Sequence, residues 1–178
     1  MLEIISLAYK SKKEDRPKAE TNETVARHAW KLLQYWRIPP GLQDDGGFDE
    51  AGFTSWLAET KKLMEQEGFW EVALFTIGRV LFYSPKDADG LWINKTVAGA
   101  LNHKDAEFMR EGYHTEVFNS RGAYFADPAA ERKLAEKYRQ RADEIENAGY
   151  SHFATMLRTV ETHHNKEAER IQQRDWED

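Results

Sequence analysis

Residues 69–83 read FWEVALFTIGRVLFY, and this stretch decides the fold class. Trp70, Val72, Ala73, Leu74, Phe75, Ile77, Val80, Leu81 and Phe82 leave no polar face at helical spacing. A helix that is apolar all round is a buried helix. At about fifteen residues it is too short to cross a bilayer, so the stretch predicts the central helix of a soluble domain, ended by Ser84-Pro85.

On either side the apolar residues return every three or four positions, the period of amphipathic helices. Upstream, Asp49 can cap a helix with Phe53, Trp56, Leu57, Thr60, Leu63 and Met64 on one face, and Gly68 suits its C-terminus. Before it, Thr21 or Asn22 can cap a helix whose stripe is Val25, Ala29, Leu32, Leu33 and Trp36, stopped by Pro39-Pro40-Gly41. Met1–Tyr9 reads as a short apolar helix, joined to the rest by the charged stretch Lys10–Lys18. Downstream, Asn94 can cap a helix through Val97 and Leu101, and Asp105 another through Phe108, Met109, Tyr113 and Val117. Asp127-Pro128 is a strong helix start, followed by Ala130, Leu134, Tyr138, Ala142 and Ile145. Gly149 and Ser151 precede a long last helix with Phe153, Leu157, Val160, His164, Ala168 and Ile171. No stretch alternates with period two. The expectation is all-α: a compact bundle of about seven helices, with HEAT-like stacking of helical hairpins as a finer expectation. Residues 1–20 form a short helix and charged linker, and 21–178 a single helical domain.

Composition agrees. A chain of 178 residues suits one domain, and 12% aromatic residues supply a core. With no cysteine there is no disulfide, thiolate metal site or cysteine nucleophile. Met1–Ile5 lacks the basic start and cleavage site of a secretion signal. A net charge of −6 and a pI near 5.6 point to the cytoplasm, to no membrane partner, and away from general nucleic-acid binding.

One pattern occurs twice. Asp45-Gly46-Gly47-Phe48 stands 44 residues before Asp89-Gly90-Leu91-Trp92, and at that offset Phe53, Trp56 and Leu57 match Val97, Ala100 and Leu101. Segments 36–57 and 80–101 are therefore a candidate weak repeat, with a period in the range of helical-hairpin arrays. Calcium loops of EF-hand type are excluded, because Gly41 and Pro85 would occupy the first ligand position and Gly52 and Thr96 the twelfth.

His163, His164 and Glu167 lack the spacing of a zinc-protease helix, and His28, His103, His114 and His152 are scattered, so no metal site is expected. There is no Walker or dinucleotide glycine loop and no Gly-x-Ser-x-Gly elbow; no catalytic residue and no cofactor is expected. The one candidate ligand site is the loop Asn119-Ser120-Arg121 with Tyr124. Arg121 offers a planar fork for an anion, and the Asp127-Pro128 helix start lies close behind. The structural reading of the same loop puts Asn119 in the left-handed region and Arg121 on a carboxylate or helix end. The basic run Lys10, Lys12, Lys13, Arg16, Lys18 has no interleaved aromatic platform for single strands and reads as a solvated linker.

Val117-Phe118-Asn119-Ser120-Arg121-Gly122, with Trp36-Arg37-Ile38-Pro39, Asp45-Gly46, Ile77-Gly78-Arg79-Val80-Leu81, Asp89-Gly90-Leu91-Trp92 and Glu131-Arg132-Lys133-Leu134-Ala135, resembles the C-terminal helical region of long, uncharacterised bacterial proteins. The likeness runs from about Leu2 to Ile171. Where those proteins carry a Tyr this chain has Phe118, and where they carry a glycine-rich stretch it has Ala126-Asp127-Pro128. That family has no established activity, so the resemblance implies no catalytic residue, only membership in a larger polypeptide.

These features lead to a non-catalytic protein-interaction or scaffold domain, whose partner is another protein or the remainder of a larger chain. It should show an apolar surface patch near Met1–Tyr9 or Trp176. The alternative is a small-ligand or enzymatic domain with an anion site at Asn119-Ser120-Arg121.

Overall fold

The computed structural model describes residues 1–9, 23–122 and 127–174. The charged stretch Lys10–Lys18, the cap at Thr21 or Asn22, Tyr124 and Trp176 lie outside the described residues. Helices take up 73% of what is described, with no strand. They number eight, against the expected seven or so: α1 (Leu2–Ala8), α2 (Glu23–Tyr35), α3 (Glu50–Glu67), α4 (Trp70–Leu81), α5 (Lys95–Asn102), α6 (Glu107–Asn119), α7 (Pro128–Asn147) and α8 (Ser151–Arg174).

Local chemistry sets most of the boundaries. Asp49 accepts from the Gly52 N–H at 2.8 Å, Asn94 from Thr96 and Val97, and Asp127 from Ala129, each satisfying a donor that a helix start leaves bare. Asp105 does not cap α6; the N-cap is Ala106, which has no side chain to offer.

As the uninterrupted apolar run requires, α4 lies at the centre, with every residue from Ala73 to Leu81 buried except Phe75. Its most extensive partner is α6, while α7 packs on α8 and α1 on α2. The α4–α6 crossing is close because each helix has a glycine at the contact. A Cβ on Gly78 would land on the Met109 carbonyl oxygen, and one on Gly112 on the Phe75 carbonyl oxygen. The main core gathers Leu74, Ile77, Val97, Leu101, Tyr113, Phe153 and Leu157. A smaller core joins Ile5, Leu33, Met64, Phe69 and Ala73, and ties α1 and α2 to the N-terminal half of α4.

The stripe on α2 is only half used. Ala29 and Leu33 are buried, but Val25 is 41% and Leu32 62% exposed. Because α2 sits at the edge of the bundle, one side of its stripe meets the body and the other meets solvent.

The two acidic turns are built alike. Gln43 N–H donates to the Gly47 carbonyl and Asp87 N–H to that of Leu91, both at 2.9 Å. Gly46 donates back to Gln43 and Gly90 back to Asp87. Asp45 accepts from Gly47 and Asp89 from Leu91. Gly46 and Gly90 have φ of 85° and 98°, a backbone that favours glycine. Asn94 Nδ2 also donates to Glu50 Oε1 at 3.3 Å, so the start of α5 touches the start of α3.

Candidate functional site

The loop singled out from the sequence follows directly from α6. Asn119 is the last helical residue rather than a left-handed one; Gly122 takes that conformation, at φ 66°. Ser120 donates its hydroxyl to the Val117 carbonyl at 3.1 Å. Arg121 turns its fork onto Glu131 of α7, Nη2 to Oε1 at 2.5 Å and Nη1 to Oε2 at 3.4 Å. The structure thus brings Arg121 to a carboxylate and leaves Asn119 and Ser120 to end the helix. An anion at Arg121 would have to share the fork with Glu131.

Glu131 is fully buried and also accepts from His164 of α8, Nδ1 to Oε2 at 2.7 Å, with His164 itself fully buried. Tyr138 stacks on the imidazole at 5.8 Å between centroids, and Phe118 lies 5.4 Å away. His163, next in the chain, sets its ring edge-on to Phe118 at 4.5 Å, and His114 lies 5.0 Å from the same ring. Glu167 pairs with Arg170 rather than with His163. Among the described residues no group of three His, Asp or Glu is placed to hold a metal ion.

A second buried carboxylate, Glu116 of α6, stands between α4 and the end of α2. Arg79 grips Glu116 Oε2 through Nε and Nη2, both at 2.9 Å, with Arg79 only 5% exposed. Tyr83 donates its hydroxyl to Oε1 at 2.7 Å, and Arg37 approaches the same oxygen at 3.2 Å. Gln34 accepts from Arg79 Nη1 at 2.5 Å, and the Arg37 guanidinium lies 5.0 Å from the centre of the Tyr83 ring. Burial, reinforced by the bond to Glu116, pushes the Tyr83 hydroxyl up to about 12. A carboxylate held by two guanidiniums and a phenol has few acceptor positions left, so this cluster pins three elements together.

Sequence reasoning offered Arg121 a carboxylate but did not identify Glu131 or His164, and it missed the Glu116 cluster; the first of these left a signal. Glu131 stands four residues before Ala135 on the buried stripe of α7, and His164 occupies a core position of α8. A charged residue on an apolar stripe marks either a buried pair or a misplaced helix face.

The histidines give the fold a pH dependence. Burial holds His164 below the usual imidazole value against the opposing bond to Glu131, and burial with the neighbouring histidines does the same for His114. As pH falls through about 6.5 the unfolded chain takes up these protons first, so stability falls with it. Burial pushes the Glu131 carboxyl up, but bonds from Arg121 and His164 outweigh it and hold it low, so its contribution is lost further into acid. The expected result is a Tm that drops between about pH 7 and pH 5, with a shallower drop in His114→Gln. A Tm that stays level or rises over that range would contradict this account.

The remaining candidate is a surface. Leu32, Tyr35 and Ile38 are 62%, 76% and 67% exposed, and α2 also shows Val25 and Trp30. Beside them, Met1, Ile4 of α1, and Leu32, Leu33 and Trp36 line a groove of about 310 Å³. Of the places where an apolar patch was expected, Met1–Tyr9 shows Leu7 half-exposed and Trp176 lies outside the described residues; the larger exposed apolar groups are on α2. No helix among the described residues is long and apolar enough to cross a membrane. No protein family, curated protein or solved structure matches this chain.

Proposed function

We propose that this chain is a non-catalytic interaction module of the cytoplasm that binds another protein, or another part of a larger polypeptide, through the outer face of α2. The observation that carries this reading is the exposure of Leu32, Tyr35 and Ile38 on and beside a helix whose other side is anchored by Ala29 and Leu33. Leu32 and Tyr35 stand one helical turn apart beside a groove, and large exposed apolar groups so placed are what binding surfaces offer. The loop at Arg121 has no comparable support, since its guanidinium is already paired with a buried carboxylate. Bacterial origin and a C-terminal position in a longer protein belong to this proposal through the resemblance alone.

The test is site-specific photo-crosslinking in the source cells. A photoreactive residue at Leu32 or Tyr35 is expected to give adducts of discrete mass, whereas the same group at Thr155, on α8, is not. Absence of adducts at α2, or equal labelling at all three positions, would overturn the reading.

A further inference from the structure

We infer that the occupant of the α2 face is an amphipathic helix with acidic flanks; this rests on the interaction reading above. The argument starts from the two acidic turns. Three hydrogen bonds recur in them at one offset of 44 residues, each turn follows a helix, and each leads to a capped helix. We read α2–turn–α3 and α4–turn–α5 as two copies of one unit.

Carried back by the same offset, the helices before the turns agree on their inner side. Ala29 corresponds to Ala73 and Leu33 to Ile77, and all four are buried. They differ on the outer side. On α4 and its C-cap, α6 covers Phe75, Gly78, Arg79 and Phe82: the Met109 carbonyl sits against Gly78, Gly112 rests on the Phe75 carbonyl, Glu116 grips Arg79, and Tyr113 meets Phe82 at 5.5 Å. Of the matching positions, Lys31 and Tyr35 in α2 and Ile38 beyond its end are exposed. One copy of the unit therefore has a helix across this face; in the other, Gln34, the match of Gly78, bonds Arg79, and no helix among the described residues crosses Lys31, Tyr35 and Ile38.

The neighbouring charges specify the occupant further. At 3.6 residues per turn, Val25, His28, Leu32 and Tyr35 form one stripe on α2, and Arg27 and Lys31 run along its edge away from Ala29 and Leu33. Both cations are exposed, on a chain whose net charge is −6. A helix seated on this stripe would present its own apolar row to Leu32 and Tyr35, drop a large anchor into the groove beside Trp36, and set Glu or Asp against Arg27 and Lys31.

The experiment uses the full chain and two labelled synthetic peptides of roughly 18 residues, long enough to become helical when bound. They share one row of leucines; one has glutamates on its flanks and the other lysines. Fluorescence anisotropy should show the acidic peptide binding at least about tenfold more tightly, with the preference shrinking as salt rises. Leu32→Glu should abolish binding, and Arg27→Glu with Lys31→Glu should reverse the preference, while circular dichroism and Tm confirm that both variants are folded. Equal binding of the two peptides would overturn the acidic occupant and leave the interaction face standing. Binding of neither would overturn a helical occupant, whereas crosslinks at Leu32 would still show that the face is used. A dimer dispersed by Leu32→Glu would assign the face to a second copy of the chain. Preferential binding to vesicles rich in anionic lipid would assign it to a membrane surface.

Discussion

Gly78→Ala is expected to cost about 3 kcal/mol or more, beyond the usual range for an added methyl group. The reason lies in backbone rather than side chains. The new Cβ would coincide with the Met109 carbonyl oxygen, and that oxygen belongs to α6, which cannot move without carrying Tyr113 and Val117 out of the main core. Gly112→Ala meets the Phe75 carbonyl from the opposite side and should cost a similar amount. Since either substitution forces the same two helices apart, the double variant should cost less than the sum. Gly99 of α5 is the control: a Cβ there meets only Tyr150 Cε1, at 3.9 Å. Alanine at Gly99 should leave stability unchanged or raise it by ~0.5–1 kcal/mol, the ordinary gain within a helix. Urea unfolding of the three single variants decides the matter. If Gly78→Ala and Gly99→Ala proved equally stable, the close crossing of α4 and α6 would be wrong.

That crossing shows where sequence reading stops. The run at 69–83 identifies a buried helix because burial on every side needs no partner to be named. Asp49, Asn94 and Asp127 mark helix starts because capping is local, acting within three residues. Gly78 inside α4 reads in sequence only as a weak helix former. Its purpose appears once α6, with the Met109 carbonyl, is laid across it. The same holds for the buried charges. Arg79 and Glu116 are separated by 37 positions and Glu131 and His164 by 33, so no local pattern joins them. Arg121 stands at the other extreme: its chemistry was legible as a fork seeking an oxyanion, but only the fold says that the oxyanion is Glu131. On α2 the apolar period was legible too, yet periodicity cannot say which part of a stripe the rest of the chain reaches, and Leu32 was left outside.

Replacing Arg79 by methionine should destabilise the fold by about 3–5 kcal/mol, the range for breaking a buried ion pair from one side. Methionine fills much of the same volume, so the loss comes from charge rather than from a cavity. Glu116 would remain fully buried with Arg37, itself partly in solvent, as its nearest remaining cation. Gln34 would lose its donor from Arg79, which loosens the end of α2 from α4. A buried carboxylate in that position must either draw water into the core or take up a proton. The deficit of the variant relative to the parent should therefore shrink as pH is lowered toward the carboxylate range, on top of the acid loss through the histidines that both proteins share. Adding Glu116→Leu to Arg79→Met removes the stranded charge, and the pair should regain most of the loss, since an apolar replacement of a buried ion pair is often neutral. The recovery should stop short of complete, because the Tyr83 hydroxyl then lacks its acceptor. Chemical denaturation at two pH values reads all of this. A small loss in Arg79→Met, or no rescue by the second substitution, would mean that the Glu116 cluster does not hold α2, α4 and α6 together.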